Sequence, residues 1–209
     1  MKPAQALAAP VDAPVDAGSE RRALEQGSAA AAPLLLADWV FAYGSLIWNP
    51  EFEPRESSLA RVHGWHRAFC IRSTRYRGDA SQPGVVLGLE RGGSCVGVAM
   101  RLAHATRRRT IEALYAREML NDVYVPRLAA VTLRNGRQLR ALTFVANHAS
   151  PAWERLREPE LLHRLAHARG ERGSNRDYAM NTWRALAARG VHDPRLARLA
   201  HQLEAALSG

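Results

Sequence analysis

Apolar residues follow one spacing in the first part of the chain and another near its C-terminal end. From residue 39 to residue 146, short apolar runs are separated by glycine, asparagine and proline, which is typical of strands joined by turns. From about residue 159 the spacing becomes helical. Strands first and helices last predict an α+β fold: a small, mostly antiparallel β-barrel or sheet with surrounding helices.

The turn residues divide the chain into elements. A turn at 91–94 is predicted to join two strands as a hairpin, and Asn135-Gly136 predicts a type I′ turn in a second hairpin. Gly64 is a candidate bulge. The predicted strands are 39–43, 60–73, 85–89, 95–102, 123–133 and 138–146, and the predicted helices are 106–121, 160–169, 174–190, with Ser174 as its N-cap, and 194–207.

The first predicted strand ends in a glycine turn at Gly44-Ser45. A strand that ends in this way points several backbone N–H groups in one direction, and such a nest attracts an anion without a charged side chain. The alternative is a first core strand followed by an ordinary loop. Ser45 itself has no legible His and Asp partners, so we expect its hydroxyl to form hydrogen bonds rather than act as a nucleophile.

The predicted helix at 106–121 has an apolar stripe that includes Ile111, Leu114 and Tyr115. Glu118 lies seven residues after Ile111 and four after Leu114, so it shares this stripe. A carboxyl group pressed toward a core loses hydration, which raises its pKa above the usual value of about 4.3. A glutamate in this setting can accept and donate protons near neutral pH.

A purely structural role for Glu118 is the alternative. In that case the carboxylate pairs with an arginine inside the fold, and arginine is plentiful in this chain. We do not expect Arg117 to be that partner, because successive side chains point about 100° apart around a helix.

Length and charge narrow the class of protein. The 209 residues are enough for one domain, which we place at 37–209, after a flexible Ala/Pro-rich extension at 1–36. The net charge is +9, but the arginines are scattered and not interleaved with aromatic residues on one element. We therefore expect no nucleic-acid partner, although a basic surface still steers anionic small molecules.

Cysteine use and hydropathy bear on the compartment. Cys70 and Cys95 form neither a CxxC motif nor a metal-ligand spacing, so we expect buried free thiols in a reducing, cytoplasmic compartment. No apolar run reaches membrane-spanning length, and Asp12 and Asp16 interrupt the order of a signal peptide. We expect no membrane association, and the sequence predicts no particular oligomeric state.

Histidine pairs offer weaker candidates. His163 and His167 are four residues apart on a predicted helix, but no third metal ligand accompanies them. His63 and His66 are predicted to face opposite sides of one strand, which argues against a joint site. The sequence therefore predicts no metal site.

Three segments in order carry a resemblance to a known family. They are residues 43–50 (YGSLIWNP), 64–70 (GWHRAFC) and 117–119 (REM), the last followed by YVP at 124–126. The chain resembles the ChaC family from residue 39 to residue 207, nearly all of the predicted domain. Residues 175–178 (NRDY) also resemble that family's pattern, whereas the extension has no counterpart in it.

The resemblance implies a gamma-glutamylcyclotransferase that acts on glutathione. Its reaction needs no metal, nucleotide or covalent nucleophile, and the sequence has no Walker loop, GxSxG or HExxH motif, so we expect no cofactor. Glu118 matches the family's catalytic glutamate. The loop formed by Tyr43, Gly44, Ser45 and Leu46 is implied to receive the gamma-glutamyl group, and Tyr178 matches a tyrosine near the substrate. Arg72 and Arg77 are further candidates, for the glycyl carboxylate of glutathione.

Two alternatives remain open at this stage. The same scaffold could act on other gamma-glutamyl amino acids or amines. The protein could also be a non-catalytic relative that binds a ligand or nucleic acid, although an intact Glu118 and the loop at 43–46 argue against this.

Overall fold

Five strands close into a barrel, and helices pack around it. The computed structural model describes residues 35–119 and 122–205. The strands of the described part are β1 (Trp39–Ala42), β2 (Glu56–Ser73), β3 (Gly84–Arg101), β4 (Tyr124–Leu133), β5 (Gln138–Ala146), β6 (Arg169–Gly170) and β7 (Gly173–Ser174). The helices are α1 (Arg107–Glu118), α2 (Glu158–His167), α3 (Asn175–Ala187) and α4 (Pro194–Ala205). The predicted α+β barrel is confirmed.

The barrel runs in the order β1-β3-β2-β4-β5 and closes where β1 meets β5. Neighbouring strands are antiparallel except at that closure, where Val40 pairs in parallel with Leu142. Val40, Leu142 and Val131 are fully or almost fully buried. Closure leaves no exposed strand edge between the first and last strands, and the apolar side chains that face inward form the core.

The predicted hairpin at 91–94 is wrong. Residues 84–101 form one strand, which pairs with β2 along most of its length, from Glu56 opposite Arg101 to Ser73 opposite Gly84. Gly92 and Gly93 both have positive φ angles, and they lie at a register shift instead of a turn. Gly64, predicted as a bulge, lies opposite this pair with φ 78°. The three glycines bend a long two-stranded ribbon, as bulges do in barrels.

The hairpin between β4 and β5 is confirmed, but its turn type is wrong. A type I′ turn needs positive φ at both central residues. Among the described non-glycine residues, only Glu51 and Asp122 have positive φ, so Asn135 does not, whereas Gly136 has φ 85°. The turn therefore uses one left-handed glycine.

The helices of the C-terminal part follow the predicted order. Ser174 caps α3 as predicted, because its hydroxyl accepts a hydrogen bond from the Asp177 N–H at 3.0 Å. Helix α1 ends at Glu118, earlier than predicted. The ends of the predicted helices at 120–121 and 206–207 lie outside the described residues, as does the predicted extension apart from Leu35 and Leu36. In the part of the chain described here, no helix is both long and apolar enough to cross a bilayer.

Candidate active site

A cavity of about 580 Å³ opens at the end of the barrel where β2 ends and β3 and β4 begin. Six further segments contribute to its wall: the turn after β1, the loop at 74–83, the C-terminal end of α1, the loop at 150–152, the connection between β6 and β7, and the first half of α3. Sequence-distant segments thus meet at one place. The lining residues that the chemistry uses are Ser45, Arg117, Glu118, Tyr124, Arg172 and Tyr178.

A buried arginine holds the turn after β1 in place. The Arg67 side chain is 4% exposed, and its Nε donates to the Tyr43 carbonyl oxygen at 2.6 Å. The same guanidinium donates to the Val96 carbonyl oxygen and pairs with Asp193. Gly44 follows, and a Cβ built on it would lie 3.1 Å from the Tyr178 hydroxyl. The turn therefore approaches Tyr178 closely where a glycine leaves room.

The structure brings three of the six predicted site residues to the cavity surface. Ser45, Glu118 and Tyr178 line it. The other three lie behind the wall. Tyr43 is buried and donates its hydroxyl proton to the Phe144 carbonyl oxygen at 2.7 Å, Leu46 is buried, and Gly44 is buried against Tyr178.

Glu118, the last residue of α1, presents its carboxyl group to the cavity. Its side chain is 17% exposed. Burial is the main influence and raises the pKa of Glu118 above its usual value, although the positive charge of Arg117 lowers it in part. This is the direction that the apolar stripe predicted.

The expectation that Arg117 is not the partner of Glu118 is wrong. Arg117 Nε lies 3.0 Å from Glu118 Oε1. The 100° separation applies to the Cα–Cβ directions, but a guanidinium on a long flexible side chain can reach around the end of a helix to its neighbour. The pair borders the cavity, because both residues line it, and so it is not an ion pair enclosed in the core.

Arg117 also ties the acid to the turn after β1. Its Nη2 donates to Ser45 Oγ at 2.9 Å and its Nη1 to the Asn49 carbonyl oxygen at 3.0 Å. Glu51 Oε1 lies 3.2 Å from the same Nη1. One guanidinium therefore fixes the position of Glu118 relative to Ser45, a role that sequence reasoning missed.

Three buried tyrosine hydroxyl groups are near enough to Glu118 for its charge to act on them. Tyr124 donates to the Leu87 carbonyl oxygen at 2.8 Å, and Tyr178 accepts from the Leu87 N–H at 3.1 Å. Burial raises the pKa of Tyr43, Tyr124 and Tyr178, and the negative charge of Glu118 raises each further. The three phenols are therefore neutral hydrogen-bonding groups at physiological pH.

Most of the charged groups in the cavity wall are arginines. Among the described residues that line the cavity, Glu118 is the one carboxylate and the arginines are Arg72, Arg75, Arg77, Arg117 and Arg172. Both arginines that the sequence suggested, Arg72 and Arg77, are in this set, but Arg72 Nη2 is bonded to the Pro151 carbonyl oxygen. The balance of charge suits an anionic small molecule.

The histidine candidates lie outside the cavity lining. The rings of His163 and His167 are 4.6 Å apart on α2, and His63 and His66 hydrogen-bond to different partners, Thr132 and the Gly92 carbonyl oxygen. Within the described ranges, no group of three or more potential metal-ligating side chains is present.

The fold and the site define a class: a closed five-stranded barrel with an acid-bearing, arginine-lined cavity at one end. The family model of ChaC-like proteins matches residues 38–206. The chain belongs to this family, and the resemblance seen in the sequence is confirmed.

Individual relatives agree with this assignment. The glutathione-specific gamma-glutamylcyclotransferase of Escherichia coli K12 is 38% identical over 156 residues, which cover 74% of this chain and 68% of the relative. The gamma-glutamylcyclotransferase 2-3 of Arabidopsis thaliana is 31% identical over 184 residues, covering 83% and 92%. The crystal structure of a yeast gamma-glutamyl cyclotransferase specific to glutathione superimposes with a TM-score of 0.73 at 21% identity, covering 79% of this chain and 95% of that one. That likeness supports the fold.

Proposed function

We propose that this protein is a gamma-glutamylcyclotransferase that converts glutathione to 5-oxoproline and cysteinylglycine, with Glu118 as the general base and acid. The observation that carries the proposal is a largely buried carboxyl group that lines the same cavity as Ser45 and Tyr178. The names of the relatives supply the substrate class.

Glutathione matches the charge of the cavity. The tripeptide carries two carboxylates and one ammonium, so it has a net negative charge at neutral pH. Among the described residues, five arginines and one carboxylate line the cavity. The ammonium is the group expected to face Glu118, and the two carboxylates are expected to face arginines or backbone N–H groups.

The reaction is intramolecular. The glutamyl nitrogen attacks the γ-carbonyl carbon, a new C–N bond closes the five-membered lactam, and the C–N bond to the cysteinyl residue breaks. Because nucleophile and electrophile belong to one short chain, holding the bent conformer supplies a large proximity advantage. No water is consumed, and no covalent enzyme intermediate forms.

The reaction also requires protons to be transferred from the glutamyl nitrogen to the cysteinyl nitrogen. The ammonium cannot attack until it has lost a proton, and the cysteinyl nitrogen cannot leave until it has gained one. Over the whole reaction two protons leave the glutamyl nitrogen and two reach the departing one. A carboxyl group with a raised pKa can take each proton and return it, which is the role that we give to Glu118.

The turn at residues 43–46 is proposed to bind the gamma-glutamyl group. The N–H groups of Ser45 and Leu46 begin a short 3-10 helix, Ser45–Ile47, and so have no acceptor within it. They are suited to the α-carboxylate of the substrate or to the oxyanion that develops on the γ-carbonyl oxygen. The Tyr178 hydroxyl accepts from Leu87 and keeps its own proton to donate to the substrate.

A reducing, cytoplasmic compartment is part of the proposal. Cys70 and Cys95 are buried free thiols, and burial raises the pKa of both, so they stay protonated and unreactive. Glutathione is itself a thiol that such a compartment keeps reduced.

Product analysis tests the proposal. Purified protein is incubated with glutathione, with γ-glutamyl amino acids and with γ-glutamyl amines, and 5-oxoproline is quantified. We expect product from glutathione at the highest kcat/KM. A higher value for another γ-glutamyl compound would move the assignment to that substrate, and no product from any donor would contradict the proposed activity.

A further inference from the structure

Three of the arginines that line the cavity form no ion pair in the described part of the chain. One of them, Arg72, is bonded to a backbone carbonyl oxygen, which leaves two. Arg117 pairs with Glu118 and Glu51, and Arg75 pairs with Glu171 at 2.9 Å. In the described part of the chain, by contrast, no carboxylate forms an ion pair with Arg77 or Arg172.

Arg172 is held in place without a counterion. It lies in the short connection between β6 and β7, and its guanidinium carbon is 4.2 Å from the centre of the Tyr76 ring. Its backbone N–H donates to the Tyr76 carbonyl oxygen at 3.0 Å, and the preceding N–H, of Glu171, donates to the Arg75 carbonyl oxygen at 2.8 Å. Cation–π contact and two backbone hydrogen bonds therefore fix this charge at the cavity wall.

Arg77 is fixed beside it by a second set of contacts. Its Nη1 donates to the Ser174 carbonyl oxygen at 3.2 Å, and its guanidinium carbon is 5.4 Å from the centre of the Tyr178 ring. Beyond the larger effect of burial, the positive charge of Arg172 lowers the pKa of both Arg77 and Glu118, because it repels the guanidinium and attracts the carboxylate. The negative charge of Asp177 also acts on Arg77, but among the described residues the two form no ion pair. Two guanidinium groups that form no ion pair in the described part of the chain therefore share the cavity with the acid, an arrangement that can bind a carboxylate or another oxyanion.

We infer that Arg172, with Arg77 beside it, forms a carboxylate-binding subsite for the peptide side of the substrate, and that Arg172 makes the enzyme prefer γ-glutamyl peptides with a free C-terminal carboxylate. The inference rests on the proposed function. The gamma-glutamyl group is assigned to Glu118 and the turn at 43–46, so the distal carboxylate is the group left to bind these two cations.

The test compares glutathione with its glycyl monoethyl ester, which lacks the distal negative charge and keeps the gamma-glutamyl group. We expect the wild type to show a kcat/KM for glutathione about tenfold above that for the ester, the size expected when one charge-assisted hydrogen bond is lost. In Arg172→Gln, the KM for glutathione rises about tenfold with kcat little changed, and the values for the ester stay as in the wild type. Arg172→Lys restores part of the preference, because the charge remains but the planar group on Tyr76 is lost.

Arg169→Gln is the matched control. Arg169 lies on the same small hairpin, carries the same charge and is exposed, but it does not line the cavity. We expect it to leave both substrates unaffected. Equal losses on glutathione and its ester in Arg172→Gln, or no loss on either, would overturn the inference while leaving the proposed function intact.

Binding measurements test the role of Arg172 independently of the proposed catalytic activity. Glu118→Gln protein is titrated with glutathione and with the ester in a calorimeter, alone and combined with Arg172→Gln. We expect the preference for glutathione to disappear in the double variant. If the wild type made no 5-oxoproline, the proposed function would fail, and the titrations would still show whether Arg172 distinguishes a free carboxylate from an ester.

Discussion

Glu118 is subject to two opposing influences. Burial disfavours its charged form, and the guanidinium of Arg117 at 3.0 Å favours it. The first is larger, so the pKa of Glu118 is raised. A carboxyl group that changes its protonation state easily is suited to proton transfer, whereas a permanently ionised one is suited to holding an ion pair.

The pH dependence of stability distinguishes these two roles. A raised pKa in the folded state means that folding is favoured by protonated Glu118 and that this contribution is lost as pH rises through the folded-state pKa. Glu118→Gln cannot ionise and should therefore gain stability relative to the wild type as pH rises from mildly acidic to neutral. Melting temperatures measured across that range test this. A variant that becomes progressively less stable than the wild type toward neutral pH would show that the ion pair with Arg117 is structural.

Arg117 is expected to act on catalysis through Glu118. In Arg117→Gln, loss of the nearby positive charge should raise the pKa of Glu118 further, so the acidic limb of the profile of kcat/KM against pH moves to higher pH. The activity at neutral pH should fall about tenfold or more, because Ser45 also loses its hydrogen bond. Arg117→Lys should return the limb toward its wild-type position.

A control for this variant exists on the same helix. Arg108 is exposed and pairs with Glu112 one turn away. Arg108→Gln should leave the pH profile unchanged. An Arg117→Gln profile with its acidic limb in the wild-type position would contradict the positioning role.

The sequence identified Glu118 as a candidate site residue, but it did not show the roles of Arg117 and Arg172. The reason is physical. A charged residue on an apolar stripe is visible from helical periodicity alone. The contact with Arg117 depends on a side-chain conformation at the end of a helix, and the place of Arg172 depends on packing between a short hairpin and the loop after β2. Neither leaves a local signal in the sequence.

At the scale of elements, the barrel depends on how closely β1 approaches β3. Gly97 on β3 lies beside β1, and a Cβ built on it would overlap the Ala42 carbonyl oxygen and lie 2.7 Å from the Phe41 ring. A side chain at this position would push β1 and β3 apart. The turn that carries Ser45 begins two residues after Ala42, so a shift of β1 would also move the site.

Gly97→Ala is therefore expected to destabilise the protein by about 1–3 kcal/mol, the usual cost of overpacking a close contact. Denaturant unfolding measures the change. Ser94→Ala on the same strand is the control and should stay within about 0.5 kcal/mol, because its hydroxyl serves an exposed hydrogen bond with Arg61. Equal stability of Gly97→Ala and the wild type would contradict the close approach of β1 and β3.

The sequence predicted which segments are strands and helices better than it predicted which strands pair. Periodicity and turn residues located every strand of the barrel, but Gly92-Gly93 has the composition of a turn and acts as a bulge. The difference lies in β2, which is long enough to pair with residues on both sides of the two glycines. Such pairing is non-local, so the local sequence could not show it.

At the scale of the molecule, the fold determines where the charges of the chain are concentrated. The chain carries a net charge of +9, and composition alone does not show which ligand this charge attracts. In the part of the chain that the structure describes, the fold places five arginines and one acid around one cavity. In the proposed function, long-range attraction favours the anionic substrate, and Glu118 is the group expected to accept a proton from its one ammonium.

The most direct test of this account measures 5-oxoproline formed from glutathione by the wild type and by Glu118→Gln at neutral pH. The amide keeps the shape of the side chain but cannot accept a proton, so we expect a folded variant that still binds glutathione and whose turnover is about 100- to 10,000-fold slower. A Glu118→Gln rate close to that of the wild type would contradict the central claim that Glu118 moves the proton.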